Sequence, residues 1–151
     1  MHYEVVGFPV NRHSFFDPRL SGYKLVAGPL AGGGSDRNDK KGGKGVPTHL
    51  TAPQGGWIAD IPITGQDLIK SGDNIFVAGS KVQFPADQFG LIESGYEGRT
   101  GNTLWVASAK DGRKLAEYKL DAAPTWAGMA AAGGKLFVSL KDGSIVCFAG
   151  K

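Results

Sequence analysis

An internal repeat is the feature that most narrows what this chain can fold into. The run from Ser71 to Ala78 aligns with the run from Ala132 to Ser139 at an offset of 61 residues, because Phe76 falls on Phe137. The next run, Gly101 to Val106, aligns with Asp142 to Cys147 at an offset of 41 residues. The two offsets differ by 20, and the segment 81–100 is 20 residues long, so one insertion in the first copy reconciles them. The repeat unit is therefore 41 residues, within the range of roughly 20 to 50 residues that is typical of repeat architectures.

Tight-turn signals divide the repeat into short strands. Asp111-Gly112, Gly133-Gly134 and Asp142-Gly143 each separate two apolar-rich runs, and such pairs favour β-hairpins because tight turns need residues that accept positive φ. Glycine is also about twice as frequent as average, which favours turns over long helices. The sequence predicts an all-β fold of antiparallel, four-stranded meanders. The predicted strands are Tyr3–Val6, Gly22–Gly28, Trp57–Ile63, Leu68–Lys70, Asn74–Gly79, Asn102–Ala109, Lys114–Leu120, Gly128–Ala132, Lys135–Leu140 and Ser144–Phe148.

The repeat length favours one β architecture over another. A unit of 41 residues that holds about four short strands matches the blade of a β-propeller, whose repeats run to roughly 40 to 45 residues. An immunoglobulin-like sandwich is the structural rival, since it also joins short strands by turns. The repeat favours blades because sandwiches are not internally periodic. A closed ring takes roughly four to eight blades, more than this chain can hold, so the sequence predicts a partial β-propeller. Three alternatives follow: the rest of the ring is missing, copies of this chain complete it, or the first 50 residues cover the open face.

Composition divides the chain into two parts. Residues 1–50 are predicted to form an irregular N-terminal segment, in which the stretch 32–45 contains only glycine and polar or charged residues. Such a stretch cannot bury enough apolar surface to order itself, which predicts a long Gly-rich loop. Gly43-Lys44 does not complete a phosphate-binding motif, because Asn38 stands where that motif needs glycine. Residues 51–151 are predicted to hold two blades, with the insertion 81–100 as a long loop.

The strands and turns of the repeat resemble a known family. Ile75–Ser80, the run Gly101–Leu115 and the run Leu136–Phe148 resemble the repeat of propellers of the pyrroloquinoline-quinone-like (PQQ-like) type. The resemblance extends over residues 57–148. Tyr118 stands where the family's tryptophan docks between blades, and Lys110-Asp111-Gly112 replaces the family's Thr-Gly turn.

The resemblance implies the C-terminal two blades of a longer propeller. In closed propellers of this kind, the missing last strand often comes from the distant N-terminus. Many PQQ-like repeat proteins bind no cofactor, so the resemblance implies a non-catalytic segment that acts as a binding or assembly scaffold. Its partner would be another protein, or a second copy, that contacts the open strand edges. The resemblance also implies a periplasmic or extracellular setting.

The alternative function is enzymatic. The chain would then be the terminal portion of a quinoprotein-like dehydrogenase that acts on alcohols or sugars with PQQ and calcium. The family's cofactor-binding residues come from many blades, and no position of this sequence matches them. Resemblance in fold alone does not establish an activity.

A direct search for catalytic and metal-binding residues yields no recognisable set. The histidines His2, His13 and His49 are widely spaced in predicted loops, which argues against metal ligation. Glu93 and Glu97 lie four residues apart in the insertion, but no pattern places them as an acid and base pair. Asp111 and Asp142 are predicted turn residues whose side chains bond to nearby backbone groups. The sequence therefore predicts no catalytic residue and no metal ligand, and it identifies no cofactor-binding residue.

Aromatic and sulfur side chains are predicted to belong to the core. Trp57, Trp105 and Trp126 lie in or beside predicted strands, where tryptophan usually packs. They could also stack on sugars, so carbohydrate binding is a third possibility. Cys147 lies in an apolar strand, and we expect it to be a small buried hydrophobic residue.

Charge and hydropathy argue against two classes of partner. The chain has 17 Lys and Arg and 14 Asp and Glu, a net charge of +3, and the charges of both signs are scattered. Nucleic-acid binders usually concentrate basic residues on one face, so nucleic-acid binding is not favoured. No apolar stretch approaches the roughly 20 residues that span a bilayer, and the N-terminal residues lack a signal-peptide core.

Overall fold

The computed structural model describes residues 1–7, 23–29, 52–83, 88 and 90–150. The Gly-rich loop predicted at 32–45 lies outside these residues. Within them the fold is all-β, as predicted, with ten strands and one short helix. The strands are β1 His2–Gly7, β2 Tyr23–Gly28, β3 Trp57–Ile61, β4 Asp67–Ser71, β5 Asn74–Ser80, β6 Asn102–Ser108, β7 Lys114–Leu120, β8 Pro124–Ala132, β9 Lys135–Leu140 and β10 Ile145–Ala149, and the helix is α1 Leu91–Tyr96.

The strands form three antiparallel sheets in chain order. Sheet I has the order β1-β2-β3, sheet II the order β4-β5-β6-β7, and sheet III the order β8-β9-β10. Every pairing joins strands that are adjacent in sequence, as in a meander. The predicted hairpin turns form at the glycine signals, where Gly112 has φ +74° and Gly143 has φ +88°. Whether residues 1–50 and 51–151 are separate units stays a prediction, although β1 and β2 lie in the first part and pair in one sheet with β3.

Sheet II is covered on both of its faces. Alternate side chains of a strand point to opposite faces of the sheet. Ile75 and Val77 of β5 lie in a cluster with residues of sheet I, whereas Ala78 of β5 and Leu104 of β6 lie in a cluster with residues of sheet III. All four side chains are at most 1% exposed. The three sheets therefore pack in the order I, II, III, with an apolar layer at each contact.

The internal repeat corresponds to equivalent places in sheets II and III. The offset of 61 aligns β5 with β9, and each is the second strand of its sheet. The offset of 41 aligns β6 with β10, and each is the third strand. Sheet II continues with a fourth strand, β7, whereas sheet III ends with β10 among the described residues.

The insertion between β5 and β6 contains secondary structure that the sequence analysis did not predict. It was predicted to be a loop, but residues 91–96 form helix α1. Its six residues are too few for amphipathic periodicity to be visible in the sequence. Contacts at its C-terminal end hold it in place: the hydroxyls of Tyr96 and Tyr23 lie 3.2 Å apart, and Asn102 Nδ2 donates to the carbonyl of Gly98 at 3.1 Å.

Trp57, on the last strand of sheet I, links that sheet to the turn between β6 and β7 of sheet II. Its indole Nε1 donates a hydrogen bond to the carbonyl oxygen of Ala109 at 3.2 Å, just beyond the end of β6. Its ring lies so close to Gly112 that a Cβ there would fall 2.5 Å from ring carbons. Gly112 therefore serves two needs, because it supplies a positive φ and leaves room for the indole.

A pair of glycine substitutions separates these two needs. Gly112→Ala combines an unfavourable positive φ with a clash against Trp57, and we expect it to lower the free energy of unfolding by about 2–4 kcal/mol. Gly143→Ala is the matched control, since Gly143 also follows an aspartate and has positive φ, but open space surrounds its Cβ position. We expect it to cost about 1 kcal/mol. Urea denaturation measures both, and equal losses would contradict the role given to Trp57.

Candidate functional site

A groove lies between sheets II and III. Its volume is about 790 Å³. Apolar side chains that point into the space between the two sheets line much of it, namely Phe76, Leu104, Val106, Tyr118, Leu136 and Phe148. The groove follows β10, the last strand of sheet III, which has no further strand beside it among the described residues.

An aromatic contact closes one side of the groove. The rings of Tyr118 on β7 and Phe148 on β10 lie 5.2 Å apart at a tilt of 48°. Tilted aromatic pairs at such distances are favourable beyond the area that they bury. Tyr118 is nevertheless 46% exposed, and sheet III has no fourth strand beside it among the described residues. The groove is thus partly open, combines these apolar side chains with polar residues such as Asn74 and Lys135, and is bordered by the edge strand β10.

The tryptophan predictions are confirmed at two positions and wrong at the third. Trp57 and Trp105 pack against the cluster between sheets I and II. Trp126 was predicted to lie in the core, but it is 71% exposed. The physical reason is an irregularity in β8, whose pairing with β9 is interrupted between Pro124 and Met129. In this interruption Ala127 has φ +50°, which an L-residue adopts only under strain.

The prediction that Cys147 is buried is wrong. Cys147 is exposed, although it lies in an apolar strand. Its neighbours Val146 and Phe148 pack toward sheet II, so the alternation of the strand directs Cys147 to the opposite face. No sheet among the described residues covers that face.

The histidines and glutamates do not form a site. His2 was predicted to lie in a loop, but it belongs to β1, where its Nε2 lies 3.8 Å from the exposed carboxylate of Glu4. His13 and His49 lie outside the described residues. Glu93 is in the first turn of α1, and Glu97 forms an ion pair with Arg99. Among the described residues, no group of His, Cys, Asp and Glu is arranged to hold a metal ion.

The two turn aspartates bond to backbone groups, as predicted. Asp142 Oδ1 accepts hydrogen bonds from the hydroxyl of Ser144 at 2.7 Å and from its backbone N–H at 2.9 Å. These bonds hold the pKa of Asp142 below its usual value. A hydrogen bond with the Ser108 side chain and one from the Arg113 backbone N–H lower the pKa of Asp111. Both residues shape turns.

The groove is the site that sequence reasoning missed. The available signal was the alternation in β10 combined with the end of the repeat after its third strand.

Within the part of the chain that the structure describes, no helix has the length and apolar character needed to cross a membrane.

Comparisons with known proteins add no relative. No family model, no curated protein and no solved structure matches the chain.

The turn at Asp142 gives a pH-dependent prediction. Because its folded-state pKa is lowered, Asp142 contributes stability that is present above the unfolded-state pKa and is lost as the pH falls through the folded-state pKa. Ser144→Ala removes the largest cause of the shift. We expect it to raise the pKa of Asp142 toward 3.8, measured by carboxyl-carbon NMR titration. Asp111, in the Asp-Gly turn of sheet II, is the internal control and should keep its pKa. An unchanged pKa at Asp142 would contradict the assignment.

Proposed function

We propose that this chain is a segment of a larger propeller-type repeat protein, in which it acts as a non-catalytic binding or assembly scaffold. The observation that carries the proposal is a correspondence between the faces of sheets II and III. On sheet II, the side chains of Phe76, Leu104 and Val106 face sheet III. The repeat offsets place Phe137, Ile145 and Cys147 at these positions in sheet III.

These equivalent residues lie on the face of sheet III that no other sheet covers among the described residues, which we call the bare face. The opposite face is the one that packs on sheet II, through Leu136, Val138, Leu140, Val146 and Phe148. Alternation places the remaining residues of β9 and β10 on the other side, where Ile145 is 66% exposed and Cys147 is exposed. On its bare face, sheet III therefore carries apolar side chains at the positions equivalent to those through which sheet II packs against sheet III.

The two repeated sheets pack in the same direction along the succession of sheets. Ile75 and Val77 point back toward the preceding sheet, I, and their equivalents Leu136 and Val138 point back toward sheet II. A further sheet could pack on sheet III in the same way that sheet III packs on sheet II. This repeated, one-directional packing supports a propeller-type succession of sheets.

A second contact supports the same proposal. The offset of 61 places Trp57 on Tyr118, and both lie on the last strand of their sheet. Trp57 packs forward against Ala109 and Gly112 of the next sheet, and Tyr118 packs forward against Phe148. At both of these equivalent positions, an aromatic residue therefore links one sheet to the next, as the resemblance to PQQ-like repeats implies. The dehydrogenase alternative stays a prediction, because no contact among the described residues favours it.

The apolar face can be tested through its exposure. We expect the purified chain to self-associate reversibly and to bind an apolar fluorescent dye, because a bare apolar sheet face favours both. Ile145→Lys should reduce both association, measured by light scattering, and dye fluorescence. Leu91→Lys is the matched control, since it places the same charge at an exposed apolar residue of α1, and it should change neither.

A contrary result would be equally clear. A wild-type chain that stays monomeric, unfolds cooperatively and binds no dye would mean that sheet III needs no cover. The scaffold proposal would then lose the observation that carries it.

A further inference from the structure

Among the described residues no strand pairs with the outer edge of β10, and this free edge has a property that sets it apart from the other sheet edges. Edge strands are usually protected against pairing by charged residues, proline or bulges. Five of the six strands at the sheet edges follow this pattern, through Glu4 in β1, Asp60 in β3, Asp67 and Lys70 in β4, Lys114, Glu117 and Lys119 in β7, and Pro124 with the irregular pairing of β8. Across Ile145–Ala149, β10 carries no charge, no proline and no interruption of its pairing.

The backbone groups at this edge are oriented for pairing. Leu140 N–H donates to the carbonyl of Ser144 at 2.9 Å, and Gly150 N–H donates to the carbonyl of Gly134 at 3.4 Å. In an antiparallel ladder, residues alternate between bonding to one neighbour and to the other. The intervening residues Ile145, Cys147 and Ala149 therefore direct their N–H and C=O groups to the free edge.

The groove provides space for the side chains of an added strand. A strand paired with β10 would place every second side chain over the groove, beside Val146 and Phe148. The groove has a volume of about 790 Å³ and is partly open to solvent, so it has room for several such side chains. The apolar walls of the groove, including the half-exposed ring of Tyr118, favour aliphatic or aromatic side chains at these positions.

Sheet II shows the completed arrangement. There β6, the equivalent of β10, pairs antiparallel with the fourth strand β7, and Leu104 and Tyr118 are directly opposite each other. The offset of 41 places Ile145 at the position of Leu104. Sheet III therefore has an edge at which a fourth strand can pair. The pairing of β6 with β7 in sheet II defines the register expected for that strand.

We propose that β10 and the groove bind an extended segment of a partner polypeptide, which pairs antiparallel with β10 and inserts alternate apolar side chains between sheets II and III. This inference deepens the scaffold function proposed above and rests on it for the biological role. The binding mode is β-strand addition, in which backbone bonds give affinity and alternate side chains give specificity.

The test uses a synthetic peptide and two variants of the full chain. The fluorescently labelled probe is Lys-Val-Thr-Val-Thr-Val-Lys, whose valines all lie on one face of a strand. The control peptide replaces each valine with serine. We expect fluorescence anisotropy to show saturable binding of the first peptide and binding at least about tenfold weaker for the second, because the groove selects apolar side chains.

Substitutions at Cys147 test the role of the backbone. Cys147→Pro removes an N–H at the free edge without removing a bond to β9, and proline is tolerated in edge strands. We expect it to weaken peptide binding by about tenfold or more. Cys147→Ser keeps the N–H and should bind as the wild type does. Circular dichroism and urea unfolding check that both variants fold.

The possible outcomes separate this inference from the proposed function. Equal binding of both peptides, or equal binding by Cys147→Pro and Cys147→Ser, would overturn strand addition. Self-association that Cys147→Pro abolishes and Cys147→Ser retains would assign the edge to a second copy and also overturn the proposal. Ile145→Lys tests the sheet face rather than the strand edge, so its result decides the scaffold proposal separately. If Cys147→Pro fails to fold, the two peptides on the wild-type chain still decide the matter.

Discussion

The two-sided apolar character of sheet II is the constraint on which the rest of the structure depends. Ile75 and Val77 on one face and Ala78 and Leu104 on the other are almost completely inaccessible to solvent. Burying an aliphatic side chain of the size of valine or leucine contributes about 1.5–3 kcal/mol, so neither face can stay uncovered without a large cost. Sheet I covers one face and sheet III covers the other. The order of the sheets follows from this requirement.

The same requirement explains why the two repeated sheets differ in how they are covered, although sheet III repeats the sequence pattern of sheet II. The side chains on one face of sheet III pack against sheet II. The side chains on its other face are also apolar at the equivalent positions, but no sheet among the described residues covers them. The repeat therefore places apolar side chains on both faces of each repeated sheet. Within the described part of the chain, only sheet II of these two has both faces covered. Aromatic residues on the last strands strengthen each contact, since Trp57 donates a hydrogen bond to Ala109 across one interface and the rings of Tyr118 and Phe148 make a tilted contact across the next.

Much of the fold could be predicted because its signals are local. Glycine turns and alternating runs located the strands of sheets II and III, and the repeat offsets identified the equivalent strands. The errors arose where tertiary context decided the outcome. Cys147 lies in an apolar strand but on its uncovered face, and Trp126 lies where β8 leaves regular pairing with β9. Helix α1 is too short for its periodicity to show, and the groove requires two sheets that sequence alone does not place face to face.

Hydrogen exchange of the folded chain, followed by mass spectrometry, tests the central claim most directly, because it compares repeat-equivalent strands under the same conditions. Amides of β6 lie in a sheet that is covered on both faces and paired on both sides, whereas those of β10 lie in a sheet with a bare face and a free edge. The account predicts that β6 exchanges slowly and β10 much faster, since protection follows burial and backbone pairing. Equal protection of the two strands would contradict it, because sheet III would then be as fully covered as sheet II.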